Sequence, residues 1–225
     1  MLKLKTSKNR IIRMLYVIIH DMKKTQKRYF FAFWGMNPAR IRTSVIISPN
    51  IFPQRFAKIV NEKVIVKKAI WCNLVANFKR FTFIKTPMLQ SAVADLMALL
   101  PATRCQQIVF LGAIGALSKG VKIGDIIITD KACQIFSVKS VHEETKEKML
   151  ALRKKGLLGV DFESRVFFAA AKKIKLPARA YYVVTDLPLT KPFYQKRTKV
   201  ENERIQAAVD KAVRQIYADF ITGKN

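Results

Sequence analysis

Apolar positions along the chain fall into two rhythms, and their alternation predicts a layered α/β domain. Apolar runs at Ser44–Ser48 (SVIIS), Gln107–Leu111 (QIVFL), Ile123–Thr129 and Arg179–Thr185 (RAYYVVT) read as strands, the first of them short and buried. Further strand-like stretches fall around Val64–Ala69 and Phe81–Ile84. Between them, five segments read as helices: Phe56–Glu62, Ser91–Leu100, Glu143–Lys155, the segment opening at Asp161, and Glu201–Phe220. Pro101, Gly156 and Pro177 mark where three of these end. Strands alternating with helices predict a mostly parallel sheet covered on both faces.

Length and composition agree with a single domain. The chain has 225 residues, half of them hydrophobic, which is ample for one sizeable core. It shows no internal repeat and no low-complexity linker.

Charge widens the range of partners. Forty-two Lys and Arg against fifteen Asp and Glu give a formal net charge of +27. A field of that sign attracts nucleic acid, an anionic membrane surface or phosphorylated metabolites. The charges are scattered rather than gathered in one motif, so a solvated basic surface and a functional basic patch stand level. Residues 1–40 carry ten of the basic residues and one acid, Asp21. Their apolar run, Ile11–Ile19, is interrupted by Arg13 and falls short of the ~20 residues of a membrane span. No small-residue cleavage site follows it. These residues are expected to be a poorly ordered basic extension, or sequence upstream of the true start, ahead of a domain over 41–225.

Cys72, Cys105 and Cys133 are too few and too widely spaced for a disulfide framework or a zinc site, and reduced thiols point to the cytoplasm. His20 and His142 are the only histidines, which excludes a His-rich metal centre. Nothing in the chain calls for a metal or a cofactor.

Three segments, in order, resemble the nucleoside phosphorylase family, which includes the purine nucleosidases. Residues 110–132 (FLGAIGALSKGVKIGDIIITDKA) are similar to its strand, Gly-x-x-Gly turn and following Gly-Asp strand. Residues 159–173 (GVDFESRVFFAAAKK) resemble its Val-Asp-Met-Glu helix start, and residues 183–188 (VVTDLP) its Val-Ser-Asp strand end. Weaker likenesses at 45–60 (VIISPNIFPQRFAKIV) and 86–100 (TPMLQSAVADLMALL) extend the match over roughly residues 44 to 190. The resemblance implies a three-layer α/β/α sandwich with a mostly parallel, twisted mixed sheet. It also implies cleavage of an N-glycosidic bond and a homo-oligomer.

That chemistry builds positive charge on the ribose and negative charge on the departing base, so stabilising both ends lowers the barrier. By resemblance, Asp186 protonates the base, at N7 of a purine, and Glu163 accepts hydrogen bonds from the ribose 2′- and 3′-hydroxyls. Asp186 also falls at the carboxyl end of a strand, where open α/β sheets bind ligands, though an Asp there equally serves to cap a turn. Asp161 suits the helix-capping role better than Glu163 does, which leaves Glu163 for a ligand. Phe162 stands where the family has a Met against the sugar. Gly112 and Ala113 belong to the Gly-x-x-Gly segment, and Phe136 is a candidate to stack on the base, although an isolated Phe is more often core.

The phosphate-binding part of the pattern is mostly missing. Ile51-Phe52 replace a Gly-Asp pair, Phe110 replaces an Arg, Ala113 replaces a Ser or Thr, and Lys85–Met88 contain no glycine. Arg55 alone remains, and one Arg makes a poor phosphate site. Hydrolysis of a purine nucleoside or adenosyl compound is therefore the expected activity. A phosphorylase with an altered site and a non-catalytic binding protein are the alternatives.

Overall fold

The computed structural model describes residues 25, 27–130 and 134–222. Most of the basic extension, with Ile11–Ile19, lies outside the described residues, as does Cys133. The elements run α1 (residues 27–34), β1 (Ser44–Ser48), α2 (Pro53–Val60), β2 (Val66–Lys68), β3 (Leu74–Asn77), β4 (Phe81–Lys85) and α3 (Gln90–Leu99). There follow β5 (Gln107–Ala116), β6 (Ile126–Thr129), β7 (Ile135–Ser137), α4 (Lys146–Lys154), β8 (Gly159–Asp161), α5 (Ser164–Lys173), β9 (Ala178–Asp186) and α6 (Lys199–Thr222).

All nine strands join one sheet. Its centre is parallel: β1 lies between β4 and β5, and β9 lies on the other side of β5. Antiparallel strands complete it, with β3 and β2 beyond β4 and β6 beyond β9. β8 pairs antiparallel with the last residues of β5, Gly115 and Ala116, and carries β7 parallel to itself. The sheet is therefore mixed, as expected.

Alternate residues of the central strands feed two separate apolar layers, which explains the unbroken apolar runs. Ile108 and Phe110 of β5 and Ala180, Tyr182 and Val184 of β9 face α1, α3 and α5. Val109 and Leu111 of β5 and Tyr181 and Val183 of β9 face α2 and α6. Helices thus cover both faces, giving three layers. On the first layer α1 buries Phe30 and Trp34, whose rings stack at 5.6 Å.

Several local expectations change. β5 does not turn at Gly112–Gly115 but continues as strand to Ala116. A Cβ at 112 would come within 2.5 Å of the Phe110 ring, so glycine there lets the strand pass close above a buried aromatic. Asp161 ends β8 instead of opening a helix, because it pairs with Ser137 of β7 in a strand that β5 also pairs at 159 and 160, and α5 starts at Ser164. β3, β7 and β8 carry no readable alternation over their three or four residues. No helix among the described residues is long and apolar enough to cross a membrane.

Candidate active site

The carboxyl ends of the parallel strands frame a cavity of about 530 Å³. Asn50 after β1, Met88 after β4, Ala113–Gly115 of β5, and Thr185 and Asp186 of β9 form one side of its lining. Val160–Glu163, from the end of β8 to the residue before α5, Glu144 ahead of α4, and Phe193 and Arg197 ahead of α6 complete it, with Val141 at the edge.

Asp186 owes its position to an irregularity in the β5–β9 ladder. Ile114 pairs with Val184, but Gly115 pairs with Asp186, so Thr185 is the extra residue of a bulge. Bulges re-aim side chains where pairing ends, and this one delivers Asp186 into the cavity. The residue is 7% exposed; Oδ1 accepts from Thr185 Oγ1 at 3.0 Å, and Oδ2 is buried without a partner. Burial pushes its pKa up, while the Thr185 hydroxyl and the Arg197 charge pull the other way.

Glu163 sits at the residue before α5 and makes no capping bond to the helix. Asp161 takes that work instead. It accepts from the Ser164 N–H at 3.0 Å and the Ser137 hydroxyl at 2.7 Å, and it contacts the Ser164 hydroxyl, which also meets Tyr182 Oη. Glu163 is consequently left 4% exposed with Oε1 buried and unpartnered. Burial, reinforced by the nearby Asp161 charge, pushes its pKa up to about 8. Phe162 lies beside it, half-buried in the lining.

The structure thus brings Asp186, Glu163, Phe162 and Ala113 to one cavity and leaves three other candidates outside its lining. Gly112 is buried one residue short of it. Phe136 belongs to β7, packs beside Met149 and Leu152, and carries Lys148 over its ring at 4.9 Å. Arg55 points to the other layer, where α2 meets α6, and bonds Asp210 at 3.3 Å. Phe110 is fully buried against Phe167 and Tyr182.

Two residues of the site carried no signal in the sequence. Glu144 sits one residue past a 3₁₀ turn capped by Ser140, in a run of charges where nothing separates it from Glu143 or Glu147. It is half-buried, and burial together with the negative charge of Asp186 pushes its pKa up to about 7. Arg197 donates from Nε to the Thr185 carbonyl at 2.9 Å, across eleven intervening residues. Among the described residues, no group of three or more His, Cys, Asp or Glu is arranged to hold a metal ion.

No family model and no curated protein matches the sequence. Solved structures do match. An AMP nucleosidase from Bacteroides thetaiotaomicron superposes with a TM-score of 0.64 at 15% identity, over 87% of this chain and 98% of its own. A uridine phosphorylase from Vibrio fischeri gives 0.60 at 15% identity, over 83% and 93%. A uridine phosphorylase from Schistosoma mansoni, in complex with thymidine, gives 0.61 at 12%, over 79% and 87%. The chain has the nucleoside phosphorylase fold.

Proposed function

We propose that this protein hydrolyses the N-glycosidic bond of a purine nucleoside or a related adenosyl compound. The observation that carries the reading is the pair of buried, unpartnered carboxylate oxygens, Glu163 Oε1 and Asp186 Oδ2, on residues lining one cavity at the strand ends. Buried polar atoms without partners are rare, and two on one cavity fit a ligand with hydroxyls and a basic nitrogen.

In this reading Glu163 accepts hydrogen bonds from the ribose 2′- and 3′-hydroxyls, and those bonds favour its ionised form over the neutral form that burial favours in the empty cavity. Asp186, protonated, gives its proton to N7 as the C1′–N9 bond breaks and its electron pair passes to the base. A water adds to C1′ and its released proton passes to solvent, from which Asp186 is reprotonated. Burial favours the neutral form that a proton donor needs.

Hydrolysis is preferred to phosphorolysis because Arg55 is engaged with Asp210 and the Ala113 N–H is engaged with Asn50 Oδ1 at 3.2 Å. A homo-oligomer belongs to the same reading: Met88, Val141 and Phe193 at the cavity edge are exposed apolar side chains, and light scattering would read the assembly. The test is release of free base from purine nucleosides with and without phosphate. Turnover that needs no phosphate and is lost in Asp186→Asn supports the reading; strict phosphate dependence makes it a phosphorylase. Turnover unchanged in both Asp186→Asn and Glu163→Ala removes the site assignment.

A further inference from the structure

The cavity is acidic in a strongly basic protein. Among the described residues, its ionisable lining is Glu144, Asp161, Glu163 and Asp186 against Arg197. The guanidinium is partly committed, through Nε to the Thr185 carbonyl. The backbone donors that would cradle an anion are committed as well. At the start of α5, Ser164 N–H bonds Asp161 and Arg165 N–H bonds the Ser137 hydroxyl at 2.8 Å. Beside β5, Ala113 N–H bonds Asn50, and after β1 the Ile51 N–H bonds the Ser48 hydroxyl at 3.1 Å. A helix N-terminus attracts anions through free N–H groups, and this one has its first two filled by side chains.

Of the four acids, Asp161 is held by Ser137 and Ser164, and the reading above assigns Glu163 to the ribose and Asp186 to the base. Glu144 is the remaining acid. Its carboxylate has no hydrogen-bond partner among the described residues, and it stands half-buried in the wall, within electrostatic reach of Asp186. A phosphate monoester would bring its charge into a partly desolvated space lined by acids, which repel it where ionised and leave it unpaired where neutral.

Resting on the nucleosidase reading, we infer that the cavity takes unphosphorylated nucleosides and rejects nucleotides, and that Glu144 is a residue that sets this selectivity. The overall charge of the chain predicts the reverse, since +27 would draw phosphorylated metabolites. The far field recruits anions to the surface, but the first few ångströms of the cavity decide what enters it.

The experiment pairs adenosine with adenosine 5′-monophosphate, and uridine with uridine 5′-monophosphate. Base release is measured alongside calorimetric binding, in the wild type and in Glu144→Gln. The expected result is kcat/KM at least ~100-fold higher for the nucleoside of a pair. In Glu144→Gln the ratio narrows at least ~10-fold, through a lower KM for the nucleotide, and the melting temperature is unchanged. A nucleotide cleaved as well as its nucleoside overturns the inference while leaving the glycosidase reading intact. If neither is cleaved, that reading fails and binding decides this one: tighter binding of the nucleotide, or binding of neither, overturns it. An unchanged ratio in Glu144→Gln removes Glu144 from the role.

Discussion

Gly115 and Asp186 are cross-strand partners on β5 and β9, and a Cβ at position 115 would lie 2.9 Å from Asp186 Oδ2 and 2.8 Å from the Pro188 ring. Glycine at 115 is therefore what gives the Asp186 carboxyl its place. Gly115→Ala should leave the sheet formed but push the carboxyl or the Pro188 turn aside. The expected loss is in kcat, by ~100-fold, the scale on which small misplacements act. A variant with wild-type circular dichroism and wild-type kcat would show that the carboxyl's position is unimportant.

Asp186→Asn should lower kcat by ~10²–10⁴, the usual contribution of a positioned proton donor. The pH dependence has a definite sign. Burial raises the Asp186 pKa, and the protonated form is the working one. Asp186 therefore stops donating, and activity falls, as pH rises through that raised value. A kcat profile shows the falling limb in the wild type and loses it in Asp186→Asn.

Glu163 has a consequence for stability that needs no substrate. Its pKa is near 8 in the folded chain, against an ordinary value of 4.5. Between those values the folded chain holds a proton that the unfolded chain has released. Stability is thus fully present below 4.5 and is lost as pH rises through about 8. Glu163→Gln removes the titration, so the fall in melting temperature between those limits should shrink. Some slope remains, because the Glu144 and Asp186 pKa values are raised too. Identical slopes in scanning fluorimetry would contradict the burial of this carboxyl. The same variant should weaken nucleoside binding, since a hydrogen bond to a charged group is worth ~1.5–3 kcal/mol.

Arg55→Ala should matter little. Its bond to Asp210 joins partly exposed side chains on α2 and α6, at 36% and 47% exposure. Pairs of that kind contribute ~0–1 kcal/mol. Turnover should be unchanged with and without phosphate; a selective loss of phosphate-dependent rate would return Arg55 to the site.

Asp161→Ala should destabilise the fold, by ~1–3 kcal/mol, the scale for a lost cap with its buried donors left unpaired. Denaturant unfolding reads this directly. The loss of substrate binding should follow, because Glu163 stands on the turn that Asp161 ties down.

The sequence by itself determined the strands that lie deepest and the helices that cover them. A run such as RAYYVVT can only be buried on both faces, because each side chain needs an apolar layer on its own side. Asp186 and Glu163 were singled out through the resemblance; the strand before Asp186 was readable, but the three-residue β8 before Glu163 was not. What only the tertiary structure decided is non-local. The strand character of Gly112–Gly115 depends on β8 and β9 as partners, and the fate of Arg55 depends on Asp210, 155 positions away. Glu144 and Arg197 join the cavity through loops whose residues have no periodicity to read. The sign of the field inside the cavity also lay beyond the composition: a chain of net charge +27 places four acids and one arginine there, because local charge follows from which loops meet, not from the sum over the chain.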